Sequence, residues 1–143
     1  METIRNRAAG ILIIRLVLGF IFLMQGFGKI FSMGVDLVHY KYFAGSFKDI
    51  LPESITYATA YYTSYVELLG GLLLLIGFKR DLALYFLGSV LIIVSFGHGL
   101  LDPTWGVQDV LFRLMLLAAL LLLPKTWDTI SIDSLLARRK GKL

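Results

Sequence analysis

The chain of 143 residues has a formal net charge of +4, a hydrophobic content of 57% and a mean hydropathy of +0.77. A soluble domain must cover its core with polar surface, and this composition is too apolar for that, so we expect a membrane protein. Cysteine is absent and only two histidines occur, which excludes disulfides and thiolate chemistry and makes a metal or haem site unexpected.

Four apolar runs of bilayer length follow one another, at about residues 8–31, 55–78, 82–101 and 107–123. The Lys79-Arg80-Asp81 turn separates the second run from the third, and Pro103 separates the third from the fourth. The first run is too long for the core of a cleavable signal peptide, so it should remain as the first span. The prediction is a single all-α domain over residues 1–143, a bundle of four transmembrane helices.

The one long connection, residues 32–54, has apolar side chains at helical spacing: Leu37, Tyr40, Ala44, Phe47 and Leu51. This pattern predicts an amphipathic helix that lies on the outer membrane surface or folds back over the bundle. It would be functional as a lid and non-functional as a plain connector.

Basic residues outside the spans are distributed unequally between the two sides of the membrane. Lys41 and Lys48 fall on one side, and nine fall on the other: Arg5, Arg7, Lys79, Arg80, Lys125, Arg138, Arg139, Lys140 and Lys142. The positive-inside rule therefore predicts a multi-pass protein of the inner (plasma) membrane with both termini in the cytoplasm. Residues 125–143 would form a basic cytoplasmic tail that anchors to anionic lipid. The basic residues flank spans and form no patch with interleaved aromatics, so nucleic acid is not an expected partner.

Charged residues inside the spans are the candidates for chemistry, because charge is costly in the bilayer and is usually buried against other helices. In the first span, one stripe at helical spacing carries two cations and two glycines: Arg15, Gly19, Phe22, Gly26 and Lys29. In the second span, Glu67 is surrounded by Thr63, Ser64, Gly70 and Gly71, and should therefore point into the bundle.

In the fourth span, Asp109 and Arg113 lie four residues apart and can pair along one helix face. Depth along the spans predicts a deep tier of Arg15, Glu67 and Arg113, with Glu67 paired to one of the two arginines. A second tier near the outer surface contains Gln25, Lys29, His98 and Asp109. We also expect a cavity between the first, second and fourth helices, walled by Gly26, Lys29, Glu67, Asp109 and Arg113.

Each of these residues also has a structural interpretation. Arg15 and Lys29 can snorkel to the membrane surface, Glu67 can belong to a structural ion pair, His98 can cap a helix end, and Tyr65 can be a packing aromatic.

These motifs resemble those of the DoxX/DoxD-like membrane proteins over about residues 8–123. The stripe from Arg15 to Lys29 is similar to the opening signature of that family, as are Glu67-Leu-Leu-Gly70-Gly71, Gly77-Phe78 and a fourth span that opens with Asp109 and Arg113. The resemblance implies a compact four-helix membrane bundle. For DoxD-type members it implies a subunit of a thiosulfate:quinone oxidoreductase that works with a second redox subunit.

The sequence hypothesis is therefore a quinone-linked redox membrane protein, in which Glu67 exchanges protons and Arg15 and Arg113 hold the quinone. The remaining predicted quinone-site residues are Gln25, Gly26, Lys29, Tyr65, His98 and Asp109. One alternative is a non-catalytic scaffold or assembly factor for a redox partner. Another is a small-molecule or proton-coupled carrier, disfavoured because four helices without an inverted repeat offer little machinery unless the protein forms a homo-oligomer.

Overall fold

The computed structural model describes residues 2–141, except for the side chains of Glu2, Asp109 and Lys140. The described residues contain helices and no strand: α1 (Glu2–Phe27), α2 (Val35–His39), α3 (Gly45–Phe47), α4 (Glu53–Ile76), α5 (Arg80–Leu101), α6 (Gln108–Leu122) and α7 (Ile132–Lys140). Two π-helical turns, Gly28–Met33 and Tyr40–Ala44, extend α1 and α2, and a 3-10 turn spans Lys125–Trp127.

Three of the helical segments are long and apolar enough to cross a membrane: Thr3–Met33, Glu53–Ile76 and Arg80–Leu101. The fourth predicted span is a shorter apolar helix, Val110–Leu122. With 15 residues, α6 is about 22 Å long, whereas the hydrocarbon core of a bilayer is about 30 Å thick. The fold is thus an all-helical membrane bundle with three to four apolar helices.

The four long helices pack in a ring, in which α1 contacts α4 and α6, and α5 contacts α4 and α6. Leucines from several helices fill the centre, among them Leu18, Leu74, Leu87 and Leu120, each fully buried. Phe22 of α1 is also fully buried. Side chains of the predicted stripe therefore serve partly as core.

Glycines bring α1 and α4 into backbone contact. A Cβ atom added at Gly26 would overlap the backbone of Leu68, and one added at Gly71 would overlap the backbone of Leu23. These positions accept only glycine without a shift of one helix, because no space remains for a side chain.

The α4–α5 turn depends on a glycine in the left-handed region. Gly77 has φ +67°, and the N–H of Phe78 donates to the carbonyl of Leu73 at 3.0 Å, which terminates α4. The chain then reverses directly into α5. We call this end of the bundle, where the first residues of α1 also lie, the termini end, and the opposite end the loop end.

The segment 34–51 folds back over the loop end of the bundle. Its buried side chains are Val35, Val38, His39 and Phe47, and His39 Nε2 lies 3.0 Å from Thr56 Oγ1 of α4. The predicted apolar face was partly wrong, because Leu37 and Tyr40 are exposed. Of the two placements considered, the structure shows the one over the bundle.

The C-terminal segment is an integral part of the fold as well as a basic tail. The N–H of Asp133 donates to the Gly77 carbonyl at 3.0 Å. The Asp133 carboxylate accepts from the N–H groups of Lys79 and Arg80 at 3.0 and 3.2 Å. Ser131 caps α7 through the N–H of Ser134. The start of α7 is thereby fixed to the α4–α5 turn.

Candidate functional site

The first polar cluster is centred on an ion pair between α4 and the π-helical turn after α1. Lys29 Nζ lies 2.7 Å from Glu67 Oε2, and the Glu67 side chain is 2% exposed whereas that of Lys29 is 29% exposed. As predicted, Glu67 lies on the buried face of α4 beside Thr63 and Ser64. Both of those hydroxyls donate to the Ala60 carbonyl. The ionic partner of Glu67 is Lys29. The partly exposed Lys29 side chain therefore connects the buried Glu67 carboxylate to the protein surface.

Arg113 of α6 completes this cluster. Its Nη1 donates to Gln25 Oε1 at 2.9 Å, and the guanidinium is close enough to Glu67 to act on it electrostatically. Of the predicted site residues, the structure therefore brings together Gln25, Lys29, Glu67 and Arg113. We call these four residues the loop-end cluster.

Arg15, one of the two arginines predicted as a partner of Glu67, lies elsewhere. Its Nη1 donates to Asp128 Oδ1 at 2.9 Å and its Nη2 donates to the Ile130 carbonyl at 2.6 Å, both in the C-terminal segment. The buried Arg80 guanidinium approaches the other carboxylate oxygen at 3.7 Å. We call Arg15, Arg80 and Asp128 the termini-end cluster.

The sequence interpretation missed Asp128 because it searched for partners within the apolar spans. The available signal was an acidic residue directly after the fourth span, at the same end of the bundle as Arg15. Its burial follows from the fold of the tail, which spacing alone does not indicate. The two tiers of depth were also wrong in detail, since Glu67 pairs with a residue assigned to the outer tier.

The glycines do not open the predicted cavity. The space next to Gly26 is filled by the backbone of α4, and that next to Gly19 is filled by Leu75 and Gly71. Small residues here permit close helix contact and remove the volume that was expected to hold water or a ligand. The loop-end cluster is open to the surface only partly, through the side chains of Lys29 and Arg113.

Three other predicted site residues lie outside the loop-end cluster or outside the described part of the chain. His98 is exposed and stacks on Trp105 with 4.9 Å between ring centroids. Tyr65 is 46% exposed and stacks on Tyr61 at 6.2 Å. The side chain of Asp109 belongs to the part of the chain that the structure does not describe.

A carboxylate that sequence analysis did not single out joins the loop segment to α4. Asp36 accepts hydrogen bonds from the hydroxyls of Tyr57 and Tyr61 at 2.7 and 2.9 Å. These donors favour the ionised form and lower the pKa of Asp36 below its ordinary value of 3.8. The pattern that could have indicated it is the pair of tyrosines one helical turn apart.

Length, apolarity and helix packing define an integral membrane protein with an all-helical bundle. A family model supports a closer assignment, because the DoxX model matches residues 10–99. The chain belongs to the DoxX family. The match includes Lys29 and Glu67 and ends before α6, which carries Arg113. No curated protein and no solved structure matches the chain.

Proposed function

We propose that this DoxX-family protein is the membrane subunit of a quinone-linked redox system, and that the loop-end cluster holds the quinone headgroup. The observation that carries the proposal is the pairing of a buried carboxylate, Glu67, with a partly exposed cation, Lys29. Ionisable residues inside a membrane commonly mark proton pathways. The resemblance to thiosulfate:quinone oxidoreductase subunits points to the same class.

The cluster fits a quinone in its donors and in its surroundings. The Lys29 ammonium and the Arg113 guanidinium are hydrogen-bond donors, and both are partly exposed. Neighbouring side chains on α1 and α6, such as Met24 and Phe112, are apolar and more than 60% exposed. Positively charged hydrogen-bond donors beside an apolar surface suit a ring with two carbonyl oxygens and a hydrocarbon tail.

A bound quinone, which takes up two electrons and two protons on reduction, would supply the redox chemistry. Electrons would come from a donor in a second subunit. Lys29 and Arg113 would orient the headgroup and stabilise negative charge on its oxygens. Glu67 Oε2 would take up a proton and deliver it past Lys29 Nζ to one headgroup oxygen, and water at the exposed side would supply the second proton.

Quinone binding by the purified protein tests the binding part of this proposal. A soluble short-chain quinone should quench Trp105, which lies at the loop end, in a Trp127→Phe background. Arg113→Leu should weaken binding by about tenfold or more, the value of a charge-assisted hydrogen bond. Glu53→Gln, an exposed carboxylate at the same end, should leave binding unchanged.

Proton exchange is tested by Glu67→Gln, which keeps shape and loses the titratable proton. Quinol formation in membranes that contain the native electron donor should fall by about 100-fold or more. The variant should remain folded, because Lys29 is 29% exposed and its charge can be solvated when the carboxylate is lost. Equal binding and equal quinol formation in wild type, Arg113→Leu and Glu67→Gln would contradict the proposal.

That result would favour a scaffold for a redox partner, the second candidate. The supporting observation is that both polar clusters join separate elements of the bundle: Glu67 with Lys29, and Asp128 with Arg15. In a scaffold, these pairs would only fix helix arrangement.

A further inference from the structure

An open groove follows the first turns of α1 at the termini end. It has a volume of about 930 Å³, and the side chains that line it include Ile4, Arg5, Ala8, Ala9, Leu12 and Ile130. Ile4 is 67% exposed and Ile130 is 58% exposed, so large apolar side chains face outward here. The groove is apolar along its walls and carries one guanidinium.

A second, smaller depression lies on α7, which follows two residues after Ile130. Its volume is about 370 Å³, and it is lined by Ile132, Leu135, Leu136, Arg138 and Arg139. The three apolar residues lie at helical spacing on one side of α7, and the two arginines follow at its C-terminal end. Apolar surface is again combined with guanidinium groups.

Hydrogen bonds and a cation–π contact fix both depressions to the bundle. Arg15 donates to the Ile130 carbonyl at 2.6 Å, and Asp133 binds the α4–α5 turn. The guanidinium of Arg7 lies 4.5 Å from the centre of the Trp127 ring. The two surfaces therefore have a defined position at the end of a helix that can span the membrane, Thr3–Met33.

The chemistry of these surfaces identifies their occupant. The groove follows the first turns of a helix that can span the membrane, Thr3–Met33. In a bilayer, the first turns of a spanning helix lie near the headgroup layer. Acyl chains match its apolar walls, and phosphate matches Arg5, Arg138 and Arg139, because guanidinium binds phosphate oxygens in pairs. A purely apolar partner helix would leave three guanidinium groups without a counter-charge.

We propose that the α1 groove and the α7 depression bind anionic phospholipid, with an acyl chain along Ile4, Ala8 and Leu12 and the phosphate on the arginines. This binding is independent of the quinone site, which lies at the other end of the bundle. The bound lipid would hold α7 against the membrane surface.

The test uses the full chain in detergent micelles, with phosphatidylglycerol or phosphatidylcholine added, and measures the melting temperature and retained lipid by native mass spectrometry. Phosphatidylglycerol should raise the melting temperature, and phosphatidylcholine should not. The double variant Arg138→Gln/Arg139→Gln should bind phosphatidylglycerol about 25-fold more weakly, which is about fivefold for each guanidinium lost near an anionic surface. The matched control Lys41→Gln/Lys48→Gln, at the loop end, should bind as the wild type does.

A second variant separates the acyl-chain contact from charge. Ala8→Leu fills the groove and keeps every arginine, so it should also weaken retention of phosphatidylglycerol. Glycerophosphoglycerol, which has the same phosphodiester anion and no acyl chain, should leave the melting temperature unchanged. The proposal is overturned if glycerophosphoglycerol stabilises the protein as phosphatidylglycerol does, or if both lipids act equally. It is also overturned if the double variant binds as the wild type does.

Discussion

Asp128 is the residue on which the termini-end cluster depends. It is 6% exposed and lies between Arg15, which is 2% exposed, and Arg80, which is 3% exposed. A buried guanidinium is tolerable only when its charge is compensated, because desolvation is expensive. Loss of the Asp128 carboxylate would leave the two buried guanidinium groups without this counter-charge.

Asp128→Asn is therefore expected to lower the free energy of unfolding by about 3 kcal/mol, the lower part of the range for a broken buried pair. The measurement is unfolding in mixed micelles, followed by helix content. Asp49→Asn, an exposed aspartate of the loop segment, is the matched control and should change stability by less than about 0.5 kcal/mol. Equal stability of the two variants would refute the assigned role of Asp128.

Asp36 gives a prediction for pH. Its folded-state pKa is below 3.8 because Tyr57 and Tyr61 donate to the carboxylate. A carboxylate with a depressed pKa contributes stability above its unfolded-state pKa, and this contribution is lost as pH falls through the folded-state pKa. The docking of the loop segment should therefore weaken only below about pH 3.8.

NMR titration of ¹³C-labelled aspartate carboxyls, with Asp36 assigned through Asp36→Asn, measures this pKa directly. The double variant Tyr57→Phe/Tyr61→Phe should raise the pKa of Asp36 toward its ordinary value. A titration midpoint above 3.8 in the wild type would be inconsistent with the two hydrogen bonds.

At the scale of elements, the contact between α1 and α4 is the most constrained. Gly26 meets the backbone of Leu68 directly, whereas a Cβ atom at Gly10 would meet nothing within 4 Å. Both glycines lie within α1, so the same substitution can be compared in two environments of one helix.

Gly26→Ala should cost about 1–3 kcal/mol of stability, because the added methyl group forces the helices apart. Gly10→Ala should be neutral or stabilising by up to about 1 kcal/mol, because alanine favours helix. Thermal denaturation of both variants measures the difference. If the two substitutions had the same effect, the close approach of α1 and α4 would be disproved.

The helices could be predicted from the sequence to within a few residues, and the faces they bury could be predicted only in part. The second predicted span, 55–78, corresponds to Glu53–Ile76, because a long apolar run in a membrane has no other low-energy conformation. In the loop segment, apolar residues occur all around the helix and π-helical turns shift its register. Spacing therefore selected Leu37 and Tyr40, whereas Val38 and His39 are the residues buried there.

At the scale of the whole molecule, the structure places the start of α1 and the C-terminal segment at one end of the bundle. Arg7 stacks on Trp127, and Arg15 binds Asp128. We therefore expect both termini on one side of the membrane, and the positive-inside rule predicts that this side is the cytoplasm.

Cysteine labelling tests this topology without background, because the chain has no cysteine. In intact cells, a membrane-impermeant maleimide should label Ser46→Cys in the exposed loop segment and should not label Arg138→Cys. Permeabilised cells should label both variants. Labelling of Arg138→Cys in intact cells would contradict the predicted topology.

The residues of the loop-end cluster could all be identified from the sequence as site candidates, whereas the contacts between them could be predicted only in part. Glu67 and Arg113 were identified because charge in an apolar span is exceptional. Their partners could not be fixed, because depth estimates treat each side chain as a point and ignore the reach of a long lysine stem. Asp128, the partner of Arg15, lies 113 residues away in a segment that was predicted to be a cytoplasmic tail and not a membrane span.

The position of Asp128 also gives the protein an order of assembly. Arg15 enters the membrane early in synthesis, and its counter-charge is translated 113 residues later. A nascent chain that stops before this point has inserted its helices and still holds an unneutralised guanidinium, together with an α4–α5 turn that lacks its Asp133 contacts. A chain that is truncated before Asp128 is therefore expected to be less stable in the membrane than the full chain, and more susceptible to proteolysis.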